Sequence, residues 1–348
     1  MSLSHGGSST PYILVPMGDP SRVGEARRAV AALTARAGFD SVAAGKVALA
    51  VNELGSNLLK HAREGKLLVG VRQRGAALAV EVVSIDAGPG MSNTAACQRD
   101  GYSSSGTSGN GLGAVQRLAD EFDIHSMPGR GTAILARFHA SQAGSAGDSA
   151  AARHGGLDYG GISIAAPGEE VCGDGWAVAL DDGVVSAMVV DGLGHGAGAA
   201  EAAQASLTVF GAARQAGPAR FIEKAHAALR ATRGAACAMA TLDPAHGQIR
   251  FAGAGNVVAR VVSGIAEKTL LTQNGTVGIQ IRSVQEQAMA WPEHALVVMF
   301  TDGIVSRWQL DDPGLLTRDP SLIAAWLIGN FCRGRDDATV VVLRRTRE

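Results

Sequence analysis

The sequence predicts a two-domain protein of mixed α/β (α+β) class, and three observations predict it. Its 348 residues are about twice the length of an ordinary domain. Hydrophobic residues make up 46% and charged residues 18%, a globular composition and not a disordered or fibrous one. Short apolar runs interleave with Ala- and Leu-rich helical stretches, so layers of strands and helices follow one another along the chain.

The elements follow in order. A strand at 12–15 leads to a helix after Asp19-Pro20 and a second helix over about 40–62, with Asp19 and Asp40 as N-cap candidates. Strands are predicted at 66–73 and 77–84, then a Gly- and Ser-rich loop over about 86–109, a helix at 112–119, and strands at 121–126 and 131–138. The stretch ASQAGSAGDSAAARH is small and polar with no hydrophobic period, which predicts a flexible linker. Beyond it, strands are expected at 162–166, 176–180 and 184–190, helices at 198–212 and 219–232, strands at 236–242, 248–252, 257–262 and 295–300, a helix near 322–329, and a last strand at 338–343. The domain boundaries so drawn are 1–139, a linker at 140–156, and 157–348.

Composition narrows the function. Thirty-one Lys and Arg against 32 Asp and Glu give a net charge of −1, with no field for gripping nucleic acid directly. Cys97, Cys172, Cys237 and Cys332 lie far apart without a CxxC pair, which argues for buried thiols in a reducing compartment. The start lacks a basic n-region, and no run approaches the ~18 apolar residues of a membrane span. The expectation is a cytoplasmic protein with no membrane contact. Forty-six glycines and only 4% aromatic residues favour tight turns and glycine-lined sites.

The first chemical constellation is VNELGSNLLKHA. Glu53 and Asn57 are four apart on a predicted helix, with Lys60 and His61 one turn on, while Val47, Leu54 and Leu58 face inward. An amide oxygen beside a carboxylate suits a hydrated Mg²⁺ carrying phosphates, although a solvated helix face has the same pattern. IDAGPGM follows, with Asp86 ending a strand and Gly88 and Gly90 letting a ligand approach the backbone. In GTSGNGLGAVQRLADEF, Gly109, Gly111 and Gly113 open a helix whose free N–H groups can receive phosphate. No βαβ unit surrounds this triplet, which excludes a dinucleotide fold.

Helical Glu/Asn, strand-end Asp-x-Gly-x-Gly, glycine lid and then GRGTAI resemble the N, G1 and G2 boxes of the GHKL (Bergerat) ATP-binding superfamily, and most nearly its RsbT- and RsbW-like serine kinases. That resemblance implies a Bergerat α/β sandwich with a mixed sheet. It also implies that Asn57 holds Mg²⁺, that Glu53 acts as base toward the attacked hydroxyl, and that Asp86 accepts from the adenine amino group. Gly88, Gly90, Gly109, Gly111 and Gly113 would line base and phosphates, with Thr132 near the adenine. Lys60 either helps neutralise the phosphates or is an ordinary surface lysine. No phospho-acceptor His region precedes these boxes, so a two-component sensor kinase is not expected.

The second constellation is a set of acidic strand ends: Asp174 in VCGDGW, Asp191 in VVDGLGHG, Asp302 in MFTDGI, and Asp336-Asp337 in GRDDATVVV. Any one Asp-Gly is explained by a tight turn, but converging carboxylates repel and call for cations between them. Two hard divalent ions in such a place support hydrolysis of a phosphate ester. The set resembles the PPM-type phosphatases of the SpoIIE/RsbX branch, which implies an αββα sandwich and two Mn²⁺ or Mg²⁺. By that resemblance Asp174 and Asp191 bridge the metals as catalytic ligands, the Gly192 carbonyl completes one shell, Asp302 and Asp336 bind the second ion, and Asp337 supports from behind. His195 is either a general acid or a helix-cap residue. No arginine near Gly160 and Gly161 stands as a phosphate clamp.

Together the resemblances imply a bifunctional partner-switching regulator with ATP and Mg²⁺ in one domain and a metal-dependent phosphatase in the other. The implied partners are STAS-domain antagonists or scaffolds of the RsbS and RsbR kind, a homodimer being compatible. The competing expectation is a phosphatase whose first domain is a nucleotide-gated, non-catalytic docking module of anti-sigma type. A coil of about 15 residues spans roughly 20 Å, so both sites are expected to reach one tethered partner.

Overall fold

A computed structural model describes residues 6–7, 10–94, 111–140 and 156–345. The first domain, preceded by β1 (Gly6–Gly7), which joins a sheet of the second, runs β2 (Ile13–Pro16), α1 (Ser21–Arg36), α2 (Ser41–His61), β3 (Lys66–Arg74), β4 (Ala77–Asp86), α3 (Gly111–Leu118), β5 (Glu121–Met127) and β6 (Gly131–His139). The second begins with β7 (Leu157–Ile164), β8 (Asp174–Asp181), β9 (Val184–Gly192), α4 (Ala197–Ala213), α5 (Pro218–Ala228), β10 (Ala235–Asp243), β11 (Gln248–Ala254) and β12 (Val258–Val262). It continues through β13 (Glu267–Leu270), β14 (Gly275–Thr276), β15 (Gln280–Ile281), β16 (Gln287–Ala290), β17 (Leu296–Phe300), α6 (Pro313–Leu316), α7 (Pro320–Phe331) and β18 (Ala338–Arg345). The sequence does not anticipate β1, β13 to β16 or α6. Each is two to four residues long, too short to carry a readable period. Asp40 caps α2 by accepting from the Ala43 N–H at 2.8 Å. Pro20 takes the cap position of α1, and Asp19 instead accepts from the Ser21 N–H at 2.9 Å.

The first sheet has the order β2-β3-β4-β6-β5, with α1 and α2 on one face. Every pairing among these strands is antiparallel, so the expected mixed sheet is corrected in that detail. The reason is local for two of the pairings, since β3–β4 and β5–β6 are hairpins.

In the second domain two sheets, β1-β8-β9-β10-β11-β16 and β13-β12-β17-β18-β7, face each other around Trp176, Val189, Phe251, Met299 and Val341. Helices α4 and α5 cover the outer face of the first, where Phe210, Phe221 and Ile222 meet Met188 and Met239. Helix α7 covers the other side, completing the αββα order. Cys172 and Cys237 are buried free thiols and Cys332 is half-buried; Cys97 lies outside the described residues.

The two domains are not separate bodies on a tether. Along β4, Val80 and Val82 face α1 and α2, whereas Val83 and Ile85 face α7; along β6, Ala133 and Leu135 do the same. The first sheet is therefore apolar on both faces, and α7 fills the second face. Residues 320 to 328 of α7 are all buried, because the helix is pressed between two sheets. A helix that is hydrophobic all round needs such a place. Residues 141–155, where the linker is expected, lie outside the described residues.

A charged seam closes the same interface. The fully buried Glu81 accepts from Arg137 Nε at 2.6 Å and from the Tyr12 hydroxyl at 2.5 Å, with Arg72 Nη1 at 3.3 Å. Arg137 reaches across to Asp319, the N-cap of α7, at 3.0 Å, and Arg72 donates to the Tyr159 carbonyl. Arg74 and Arg344, from opposite domains, share Asp158 at 2.7 and 3.0 Å. Burial pushes the Asp319 carboxyl up, but Arg137 and then Arg72 override it and hold it at about 2.

Candidate functional sites

Helix α2 presents Glu53 and Asn57 from one half-buried stripe, held by Val47, Leu54 and Leu58 beneath. The start of α3 lies against that stripe. A Cβ on Gly111 would stand 2.8 Å from Glu53 Oε2 and 3.5 Å from the Asn57 side-chain amide, so a side chain there would push the Glu53 carboxylate aside. Gly113, the third residue of the helix, is buried, and Gly109 lies outside the described residues. Lys60 and His61 are both exposed in the last turn of α2.

Asp86 ends β4 and accepts from the Gly88 N–H at 2.7 Å. Burial raises its pKa, while the Gly88 and Thr132 amides pull the other way. Thr132 sits opposite Asp86 in the β4–β6 ladder, is buried, and shares a 2.8 Å hydrogen bond with the Ser126 hydroxyl. Gly90 turns with φ +69° directly against the Met127 carbonyl, and Met91 N–H donates to Ser126 at 2.7 Å. Ser126 thus ties the Gly88–Gly90 turn to β5 and β6. Sequence reasoning misses it, because a serine inside a strand carries no motif.

In the second domain Asp174 and Asp191 are direct partners across the β8–β9 ladder. Asp174 is buried and accepts from the Thr301 hydroxyl at 2.7 Å; burial, then Asp191, raises its pKa. Asp191 is pushed up to about 8 by burial and then by the carboxylates of Asp302, Asp336 and Asp337. Asp302 accepts from Asn256 Nδ2 at 2.6 Å, a neighbour the sequence does not signal. The Asp337 carboxylate is taken by the N–H groups of Ala166 at 2.8 Å and Gly173 at 3.0 Å. Asp336 spends one oxygen on the Asp337 N–H at 2.9 Å and remains half-buried. Gly192 closes the strand, its N–H donating to the Gly173 carbonyl at 3.0 Å.

Such a carboxylate set repels itself, and its all-oxygen character fits hard divalent cations such as Mg²⁺ or Mn²⁺. It is not a closed shell: among the described residues, no three His, Cys, Asp or Glu side chains stand at ligating geometry. His195 caps no helix. It pairs through Nδ1 with Glu169 Oε1 at 2.6 Å and is exposed.

Arg233 is a further residue the sequence leaves unmarked. It follows α5 and lies on the loop that leaves Asp191: a Cβ on Gly198 would meet its Nε at 2.6 Å, and one on Gly194 its Nη1 at 3.7 Å. The pairing of β9 with β10 puts it there, since Gly192 faces Ala235 and the Leu193 N–H donates to the Gly234 carbonyl at 3.0 Å.

No helix among the described residues is long and apolar enough to cross a membrane. Residues 17–138 match the family of the histidine kinase-like ATPase domain, and residues 181–346 match the family of stage II sporulation protein E (SpoIIE). A serine/threonine-protein kinase, RsbT of Bacillus subtilis (strain 168), is 36% identical over 100 residues, covering 28% of this chain and 74% of the relative. A solved chain from "The bacterial stressosome: a modular system that has been adapted to control secondary messenger signaling" is 28% identical, with a TM-score of 0.51 over 54% of this chain and 99% of that one. RsbX in complex with magnesium is similar at 19% identity and a TM-score of 0.47, covering 55% of this chain and 96% of its own.

Proposed function

Since this chain belongs to the RsbT family of serine/threonine-protein kinases through its first domain and carries a SpoIIE-family phosphatase domain as its second, we propose that it phosphorylates and dephosphorylates serine or threonine on one class of signalling partner. The observation that carries this reading is that Glu53, Asn57 and Gly111 meet in one domain while Asp302 and Asp336 converge on Asp191 in the other.

In the first domain the adenine amino group donates to Asp86, and the Gly88–Gly90 turn and the start of α3 admit the base and phosphates. Asn57 would hold, through its amide oxygen, the Mg²⁺ that accompanies ATP, and exposed Lys60 would offer charge to the phosphates. Glu53 takes the proton of the partner's hydroxyl as that oxygen attacks the γ-phosphorus, and the bond from the γ-phosphorus to the β,γ-bridging oxygen breaks to release ADP. Lengthening residue 111 presses on Glu53 Oε2, so Gly111→Val is expected to cut phosphate transfer at least roughly tenfold, one displaced catalytic contact. Steady-state transfer beside a thermal melt checks this, and unchanged transfer would place Glu53 elsewhere in the reaction.

In the second domain Asp174, Asp191, Asp302, Asp336 and the Gly192 carbonyl would hold two Mn²⁺ or Mg²⁺. Bound there, the ions supply a nucleophilic water at neutral pH and a clamp for phosphoryl oxygens. Thr301 and Asn256 orient Asp174 and Asp302, and the Ala166 and Gly173 amides keep Asp337 as a support. The partners proposed are STAS-domain antagonists or scaffolds, as the likeness to RsbT and to a stressosome chain supports.

The decisive experiment uses Asp191→Ala with γ-labelled ATP, Mg²⁺ and a STAS-domain protein, because an active phosphatase in the same chain erases the kinase product. The expected result is label that vanishes in the Asp191→Ala, Asn57→Ala double variant and is released on adding wild type. Absence of label with measurable ATP binding would make the first domain a nucleotide-gated docking module.

A further inference from the structure

Arg233 and two exposed apolar side chains flank the point where β9 leaves the carboxylate cluster. Leu193 is 51% exposed and Ile279 60% exposed, so both side chains are open to a partner. Both adjoin the residue after Arg233: the Leu193 N–H donates to the Gly234 carbonyl, and a Cβ on Gly234 would meet Ile279 Cγ1 at 3.1 Å. The Arg233 side chain lies against Gly198, and its Nη1 reaches Gly194, so a side chain at 198 would displace the guanidinium.

We propose that Arg233, Leu193 and Ile279 form the recognition surface for the phosphorylated segment of the protein substrate. The guanidinium binds the phosphoryl oxygens, and the two aliphatic side chains receive apolar residues beside the phosphoserine. The charges favour this occupant: the arginine at the edge of the acidic strand ends offers the planar donor pair that a phosphate monoester takes. This inference rests on the phosphatase reading and names its substrate class.

The test uses two substrates with the Mn²⁺-loaded chain, the phosphopeptide Ala-Leu-pSer-Leu-Ala and para-nitrophenyl phosphate. Arg233→Ala is expected to raise KM for both, and the inhibition constant of inorganic phosphate, by roughly tenfold with kcat nearly unchanged, as loss of one charge-assisted contact predicts. Arg233→Lys should restore part of the affinity. Leu193→Ser with Ile279→Ser should raise KM for the peptide alone. Unchanged KM in Arg233→Ala, or a loss confined to kcat, overturns the inference while leaving the phosphatase reading standing. No turnover in wild type overturns both.

A second, independent observation concerns α7. Its Gly329 sits against the Ile85 side chain, one residue before Asp86, with no space for a Cβ. The same C-terminal end is bound to the Asp302 loop: Val305 N–H donates to the Phe331 carbonyl and, just past the helix, Arg333 N–H to the Gly303 carbonyl, each at 2.8 Å. One buried helix thus touches the strand end that carries Asp86 and the turn that carries Asp302. We infer that α7 couples nucleotide occupancy to divalent-metal affinity in the other domain, resting on the site assignments above. The affinity for the Mg²⁺ complex of a non-hydrolysable ATP analogue, measured calorimetrically, should change several-fold more on adding Mn²⁺ to wild type than to Asp191→Asn, a comparison that cancels the ion carried by the nucleotide itself. Ile85→Val should shrink that difference. An equal change in wild type and Asp191→Asn overturns the coupling, and measured analogue binding separates that result from failure of the nucleotide site.

Discussion

Asp191→Asn is expected to lose more than roughly 100-fold of metal-dependent phosphate release, a larger loss than removing a supporting hydrogen bond to a ligand. The same variant should be more stable than wild type when no divalent metal is present. The sign follows from the raised pKa: burial and then Asp302, Asp336 and Asp337 push Asp191 up to about 8. A group whose folded pKa exceeds its unfolded value near 4 contributes stability at low pH and loses it as pH rises toward 8. Metal-free wild type should therefore weaken across that window, and Asp191→Asn should not, with roughly 2–4 °C in Tm for each kcal/mol of relieved repulsion. Adding Mn²⁺ should raise the wild-type Tm and scarcely move the variant. An undiminished Mn²⁺ shift in Asp191→Asn would remove Asp191 from the ligand set.

Arg137→Ala should produce the largest loss of stability, about 3–5 kcal/mol, because it strips a buried pair and leaves Glu81 and Asp319 facing each other. Glu81 is fully buried, and although burial raises its pKa, Arg137 and Arg72 together bring it below the usual carboxylate value. Both carboxylates thus contribute stability that is present above their ordinary titration range and lost as pH falls, in the case of Asp319 toward about 2. The variant's acid-unfolding midpoint should move upward. Urea unfolding followed in each domain should give one transition in wild type, since α7 belongs to both cores. Two separate transitions in wild type would contradict a shared core.

Much of the candidate chemistry was legible in the chain itself. Glu53 and Asn57 at helical spacing, Asp86 before Gly88 and Gly90, and acidic residues closing apolar runs are short-range patterns, and short-range patterns are what periodicity and turn chemistry encode. The helices and long strands were legible for the same reason, and their ends fall within a few residues of the expected positions. Ser126, Asn256, Thr301 and Arg233 were not, because each acts through a partner brought close only by a ladder pairing or a loop crossing.

By itself the sequence determined two α/β domains, their order, and the residue types available for phosphoryl chemistry in each. Tertiary structure alone decided that the domains are one body. The apolar run in LIAAWLI has no polar face, which reads as a buried helix but not as a helix buried between sheets of different domains. The seam of Glu81, Arg72, Arg137 and Asp319 spans more than 240 residues of sequence and leaves no local trace. Side chains so distant along the chain meet because the first sheet must bury its second apolar face, and the outer helix of the other domain offers the matching surface.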